Sequence, residues 1–226
     1  MSVAVSGERG CCLSRQLAPE SYLFAIATGF GRIGGEPAAS FALAGVRHEF
    51  ERRARSARWQ RLCARPRTAA AMLGAVMGRV NQELHSRSAS HEDYVTAGAS
   101  VTAVLLVRER AYLAHIGSTA AYLARGGSLV ALTKNDAFEG DRATVLIGAL
   151  GLTHMLDIGI AAFALAPGDA LVLAERPLPA DAERLIVRFG GVEDTQGSTP
   201  DEAHTAQSIV TGVLATVFFY AMLALR

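Results

Sequence analysis

The spacing of apolar and polar positions changes twice along this chain. Leu23 to Ala27 is a short, wholly apolar run that ends at Thr28-Gly29, and it reads as a buried strand entering a glycine-rich turn, GFGRIGGE. Helical spacing follows. Pro37 to Glu51 reads as a helix with Glu36 and Pro37 in its first turn. A second helix is predicted from Thr68 to Leu84, with Met72, Leu73, Val76, Met77, Val80 and Leu84 on one face. The period then shortens. Ser100 to Val107 is a continuous apolar strand, Arg108-Glu109-Arg110 a turn, and Ala111 to Ile116 a second strand carrying Tyr112 and His115. After Gly117-Ser118-Thr119, Ala120 to Ala124 resumes, Arg125-Gly126-Gly127-Ser128 makes a hairpin turn, and Leu129 to Leu132 returns. Ile158 to Leu165 and Ala170 to Ala174 flank a Pro167-Gly168-Asp169 turn. Helices first and an antiparallel meander afterwards predict an α+β domain, with sheets packed face to face or under helices.

Composition sharpens this picture at the C-terminus. Half of the 226 residues are hydrophobic and 19% are charged, which is a folded chain. The net charge of +1 gives no global reason to expect nucleic acid, and none is expected as a partner. Three cysteines without regular spacing make neither a disulfide framework nor a zinc site, and fit a reducing compartment. Residues 206–225 carry no charge. An apolar helix of ~20 residues crosses the ~30 Å hydrocarbon core, so a transmembrane helix is predicted over 206–226. The competing reading is a buried core helix, which at this length normally shows a polar stripe. The polar stretch 190–205 reads as a linker, leaving 1–189 as the folded domain. The first ten residues lack a basic region followed by an apolar run, so the domain is expected on the cytoplasmic side of a tail-anchored, single-pass membrane protein.

The order of motifs resembles one family, the metal-dependent protein serine/threonine phosphatases of the PP2C (PPM) type. FAIATGFGRIGGEPAAS is similar to the strand-then-loop segment FAVADGMGGHGGGEVAS of that family. AGASVTAVLLVRERAYLAHIGSTAAYLARGGSLVALTKND resembles its central run through GDSRAY, and LIGALG with FALAPGDALVLAERPL resembles its RALG and PGD–SDGL segments. The similarity covers about residues 22 to 178. It implies a β-sandwich of two antiparallel sheets flanked by helices, here C-terminally truncated. It also implies two Mg²⁺ or Mn²⁺ ions held mainly by carboxylates and bridged by the attacking water. Yet the central bridging Asp of the family is Thr28 here, with Gly29 retained beside it. The Asp of GDSRAY is Ser118, and the Arg is Ala120. The Asp of SDGL becomes Glu175. Arg15 and Glu20 are the candidates for the N-terminal arginine and acid of the family, and the final acid would have to be Asp194. On this resemblance the site is vestigial at Thr28, Gly29, Ser118 and Glu175, no cofactor is expected, and the chain reads as a pseudophosphatase. It would then be a membrane-anchored binding module in phosphoprotein signalling, with a phosphoprotein or kinase as partner. The alternatives are an active phosphatase, holding Mg or Mn through Gly29, Glu175 and Asp194, or a membrane-associated structural protein. A homodimer through an exposed edge strand is a further expectation.

One segment stands apart in charge. Residues 46–67 hold eight arginines and two glutamates, a local balance of +6. The two readings are a solvated helix face and a contact with anionic lipid headgroups through Arg52, Arg53, Arg55, Arg58 and Arg61, with Trp59 as an interfacial side chain. No aromatic stacking platform suits it to single-stranded nucleic acid. The six histidines lack ligand spacing, and Gly29-x-Gly31-x-x-Gly34 has no β-α-β unit to make it a dinucleotide site.

Overall fold

The computed structural model describes residues 2–6, 12–31, 35–63, 65–90, 97–139, 144–146, 148–179 and 220–224. In chain order the elements are β1 (Ser2–Ser6), β2 (Cys12–Ala18), β3 (Ser21–Phe30), α1 (Gly35–Ala54), α2 (Trp59–Cys63), α3 (Pro66–Ser90), β4 (Gly98–Val107) and β5 (Arg110–Ile116). There follow β6 (Ala120–Arg125), β7 (Ser128–Ala131), β8 (Ala137–Glu139), β9 (Thr144–Leu146), β10 (Gly159–Ala164), β11 (Ala170–Ala174) and β12 (Tyr220–Ala224). The chain divides into two units, each with one five-stranded antiparallel sheet. The expected α+β class with antiparallel sheets is what forms.

The larger unit spans residues 10–119 and 135–164. Its sheet runs β10-β5-β4-β3-β2, and β8 pairs with β9 in a separate two-stranded ribbon. Leu23, Ala25 and Ala27 of β3 and Val101, Ala103 and Leu105 of β4 join Val46 of α1 and Leu73, Met77 and Val80 of α3 in one buried cluster. Residues two apart on a strand share a face, so this is the helix-covered face. The intervening Phe24, Ile26, Val104 and Leu113 are buried too. Burial on both faces is why these strands read as unbroken apolar runs.

The smaller unit takes residues 1–9, 120–134 and 165–226, with its sheet in the order β1-β12-β11-β6-β7. The β6–β7 hairpin closes on Gly126 and Gly127, both at positive φ (54° and 71°), as a two-residue turn of the primed type requires. At the predicted Pro167-Gly168-Asp169 turn the Asp169 carboxylate is buried. It accepts from Ala166 N at 2.7 Å, from Arg125 Nε at 2.8 Å and from Arg125 Nη2 at 2.5 Å.

The C-terminus corrects two expectations. Tyr220–Ala224 pairs with Ala170–Ala174 on one side and with Ser2–Ser6 on the other. The end of the uncharged run is therefore an interior strand, not part of a helix over 206–226, and the fold is not truncated before its last strand. An interior strand with two flanking neighbours tolerates an uncharged sequence as readily as a membrane helix does, and hydrophobicity alone does not separate them. No described helix is long and apolar enough to cross a membrane. Residues 180–219, with the predicted linker and Asp194, lie outside the described residues.

Candidate functional site

At one end of the larger unit, the register of β3 with β4 sets Thr28 opposite Ser100 and Gly29 opposite Ala99. The chain leaves β5 through Gly117 at φ +98°, where a Cβ would fall 2.2 Å from Ser100 Oγ. Only glycine lets the backbone pass this close. The passage brings Ser118 onto Ser100. The Ser118 amide donates to Ser100 Oγ at 3.0 Å, and the two hydroxyl oxygens lie 3.2 Å apart. Asp136 fastens the same turn: its Oδ2 accepts from Gly117 N at 3.1 Å, and its own amide donates to Gly117 O at 3.0 Å. Thr28 and Ser118 are half-buried, and Ser100 is buried.

Deeper on the same strands, Thr102 Oγ1 lies 2.8 Å from both His115 Nδ1 and Thr119 Oγ1. All three side chains are buried, so this chain of hydrogen bonds stiffens the sheet rather than meeting a substrate. The His115 Nδ1 contact goes to Thr102, and Ser118 bonds to Ser100.

The donor set decides what the site can hold. Hydroxyls donate and accept hydrogen bonds but bring no negative charge. Two divalent cations ~3.5–4 Å apart need several carboxylates around them. Among the described residues no group of three or more His, Cys, Asp or Glu stands close enough together to hold a metal ion. The residues at Thr28, Ser100 and Ser118 do not fit a two-metal centre. Glu175, in the smaller unit, directly follows β11 and is half-buried. Burial pushes its carboxyl above the usual carboxylate range, and the Arg176 charge only partly opposes this.

Other candidates fall elsewhere. Glu20 lies in the β2–β3 turn at the far end of β3 from Thr28 and pairs with Arg108 at 3.2 Å, so it is no neighbour of Thr28. Arg15, on β2, pairs with Glu51 at 2.8 Å. Trp59 is not an interfacial side chain. It is 2% exposed, packs edge-on to Phe50 at 6.2 Å between ring centroids, and lies 3.4 Å from Ser21 Oγ through Nε1. Its rings fill the core beneath α2, a stronger demand than the arginines beside it suggest. Arg52 and Arg53 both pair with Glu49, whereas Arg55, Arg58 and Arg61 are exposed. The sequence reading missed Ser100 and Asp136. Ser100 reveals itself only once the β3–β4 register is known, because it sits 72 positions after Thr28 with no motif of its own.

The structure is similar to solved bacterial serine/threonine phosphatases. Stp1 from Staphylococcus aureus superposes with a TM-score of 0.74 at 14% identity, covering 100% of this chain and 94% of that one. The S. agalactiae serine/threonine phosphatase gives 0.73 at 14% identity, covering 100% and 99%. PstP/Ppp of Mycobacterium tuberculosis gives 0.67 at 20% identity, covering 98% and 96%. No family model matches the chain, and no curated protein matches it. The likenesses show the fold: that of the PP2C-type serine/threonine phosphatases, as the motif order implied.

Proposed function

We propose that this chain is a catalytically degenerate domain of the PP2C phosphatase fold that works as a binding or regulatory module for a phosphoprotein or a kinase. The observation that carries the reading is the hydroxyl set at Thr28, Ser100 and Ser118. Within it, Thr28 and Ser118 stand where the resemblance calls for carboxylates, and Ser100 lies opposite Thr28 and bonds to Ser118. Such a set can hydrogen-bond a phosphoryl oxygen but offers no charge to hold two metal ions, and no base to activate a water. Thr28 and Ser118 of this set are half-buried. Membrane attachment does not enter this reading, because β12 takes the end of the run that would supply it.

The test is turnover of p-nitrophenyl phosphate by the full chain with Mn²⁺, beside calorimetric titration of the same chain with Mn²⁺ and Mg²⁺. The expected result is background hydrolysis and no saturable heat. Thr28→Asp, which restores one carboxylate, is expected to raise Mn²⁺ affinity. Turnover that disappears in Glu175→Ala would refute the proposal and establish the active phosphatase instead.

A further inference from the structure

The arginines between α1 and α3 are divided by the fold into two groups. Arg52 and Arg53 both pair with the buried Glu49, which Arg79 of α3 also reaches at 3.6 Å. Glu51 is occupied by Arg15. The remaining arginines of the connection, Arg55, Arg58, Arg61, Arg65 and Arg67, are exposed, and among the described residues no carboxylate pairs with any of them. Both glutamates of the segment are thus spent on the helix that precedes the array.

That stretch is held firmly. Trp59 and Cys63 anchor α2 in the core, Ser56 N donates to Arg53 O at 3.0 Å, and Trp59 N donates to Ser56 O at 2.9 Å. Thr68 N and Ala69 N both donate to Arg65 O at 3.0 Å. Arg67 stands in the first turn of α3, where the positive helix pole disfavours a cation, and no acidic residue stands in that turn. Five like charges on a rigid connection repel one another, and nothing in the described chain relieves them. A bound anion would.

From this we infer that Arg55, Arg58, Arg61, Arg65 and Arg67 form a docking surface for an acidic stretch of a partner polypeptide, carrying carboxylates or phosphorylated side chains. Guanidinium groups pair with both in two-point fashion. Charge complementarity gives the partner its sign. The one aromatic of the segment is buried, so nothing described here inserts into a bilayer interface or stacks on a base. The surface lies near Ser21, which Trp59 touches, and seven strand positions along β3 from Thr28, roughly 23 Å at ~3.3 Å per residue. It is therefore separate from the hydroxyl site and does not depend on what that site does.

The test is fluorescence anisotropy of the full chain with a fluorescein-labelled twelve-residue polyglutamate. The wild type is expected to bind, and to weaken steeply as salt rises from about 50 to 200 mM, because screening shortens the range of exposed charges. Arg58→Gln with Arg61→Gln is expected to weaken binding roughly tenfold, and Arg58→Lys with Arg61→Lys to retain most of it. These side chains are exposed, so circular dichroism of both variants is expected to match the wild type. Arg87→Gln, at the other end of α3, and Thr28→Asp, at the hydroxyl site, are expected to leave binding unchanged. Absence of peptide binding, or equal binding by the glutamine variant, overturns the inference. So does tighter binding, under the same conditions, to phosphatidylserine vesicles or to duplex DNA, which would assign the surface to a membrane or to nucleic acid.

Discussion

Trp59→Ala is the perturbation that most directly separates a core tryptophan from an interfacial one. The indole is 2% exposed and meets Phe50 edge-on at 85° between ring planes. Removing a buried Trp or Phe side chain costs about 3–5 kcal/mol, combining lost transfer energy with the cavity left behind. The edge-to-face contact accounts for about 0.5–1.5 kcal/mol of that. The Nε1–Ser21 Oγ contact, at 3.4 Å, is long for a hydrogen bond and adds little. Urea unfolding followed by circular dichroism is the assay. With a slope of about 3 kcal/mol per molar, the upper end for small proteins, the midpoint is expected to fall by about 1–1.7 M. Trp59 is the only tryptophan, so the wild-type fluorescence reports on it alone. Its emission should be blue-shifted and resistant to iodide quenching. A midpoint shift below about 0.3 M, or a red-shifted and readily quenched emission, would refute the packing argument, since an interfacial side chain can be removed without opening a cavity.

Three further outcomes are expected. Arg125 holds the Asp169 carboxyl below its ordinary value of 3.8, so its stabilisation is complete above that value and is lost as pH falls through the lower folded value; Asp169→Asn should cost about 1–3 kcal/mol at neutral pH in thermal unfolding, and the gap to wild type should close as the carboxylate is titrated. Ending the chain at Thr205 removes β12 from between β1 and β11, so amide exchange of Ala170–Ala174 should accelerate sharply; unchanged protection would mean that strand is dispensable. Gly117→Ala forces a side chain into positive φ and onto Ser100, with an expected loss of about 1–3 kcal/mol measured by denaturant unfolding.

The strands were legible where both faces are buried. Ser100–Val107 and Ala170–Ala174 stand in the structure within two residues of their predicted bounds, because unbroken apolar runs bounded by turns have few other uses. The helices were legible in kind but ran long, to Gly35–Ala54 and Pro66–Ser90, since polar ends carry no periodic signal. β2, CLSRQLA, was missed because it is an edge strand with exposed Ser14 and Arg15, so half-polar sequence suffices. β12 was misread for the opposite reason: an interior strand within a long uncharged run mimics a membrane helix. At the site, the substitutions at Thr28 and Ser118 were visible by resemblance. Their link through Ser100 was not, because it depends on a strand register that only the folded chain sets.

The hydroxyl site also bears on how this end of the sheet is held together. Several acidic groups gathered at one point repel one another unless cations sit among them, and that repulsion weighs against folding. A chain that gives up the metal while keeping the acids would be left with unbalanced charge at the ends of its central strands. Here Thr28 and Ser118 are uncharged, Ser100 Oγ takes the Ser118 amide, and Asp136 is engaged by the Gly117 amide. The turn is closed by hydrogen bonds within the chain. The glycine at 117 remains indispensable for the same reason: Ser100 occupies the space a side chain would need. At this turn the glycine backbone path and the hydrogen bonds through Ser100 and Asp136 fix the geometry, and Thr28 and Ser118 bring it no charge.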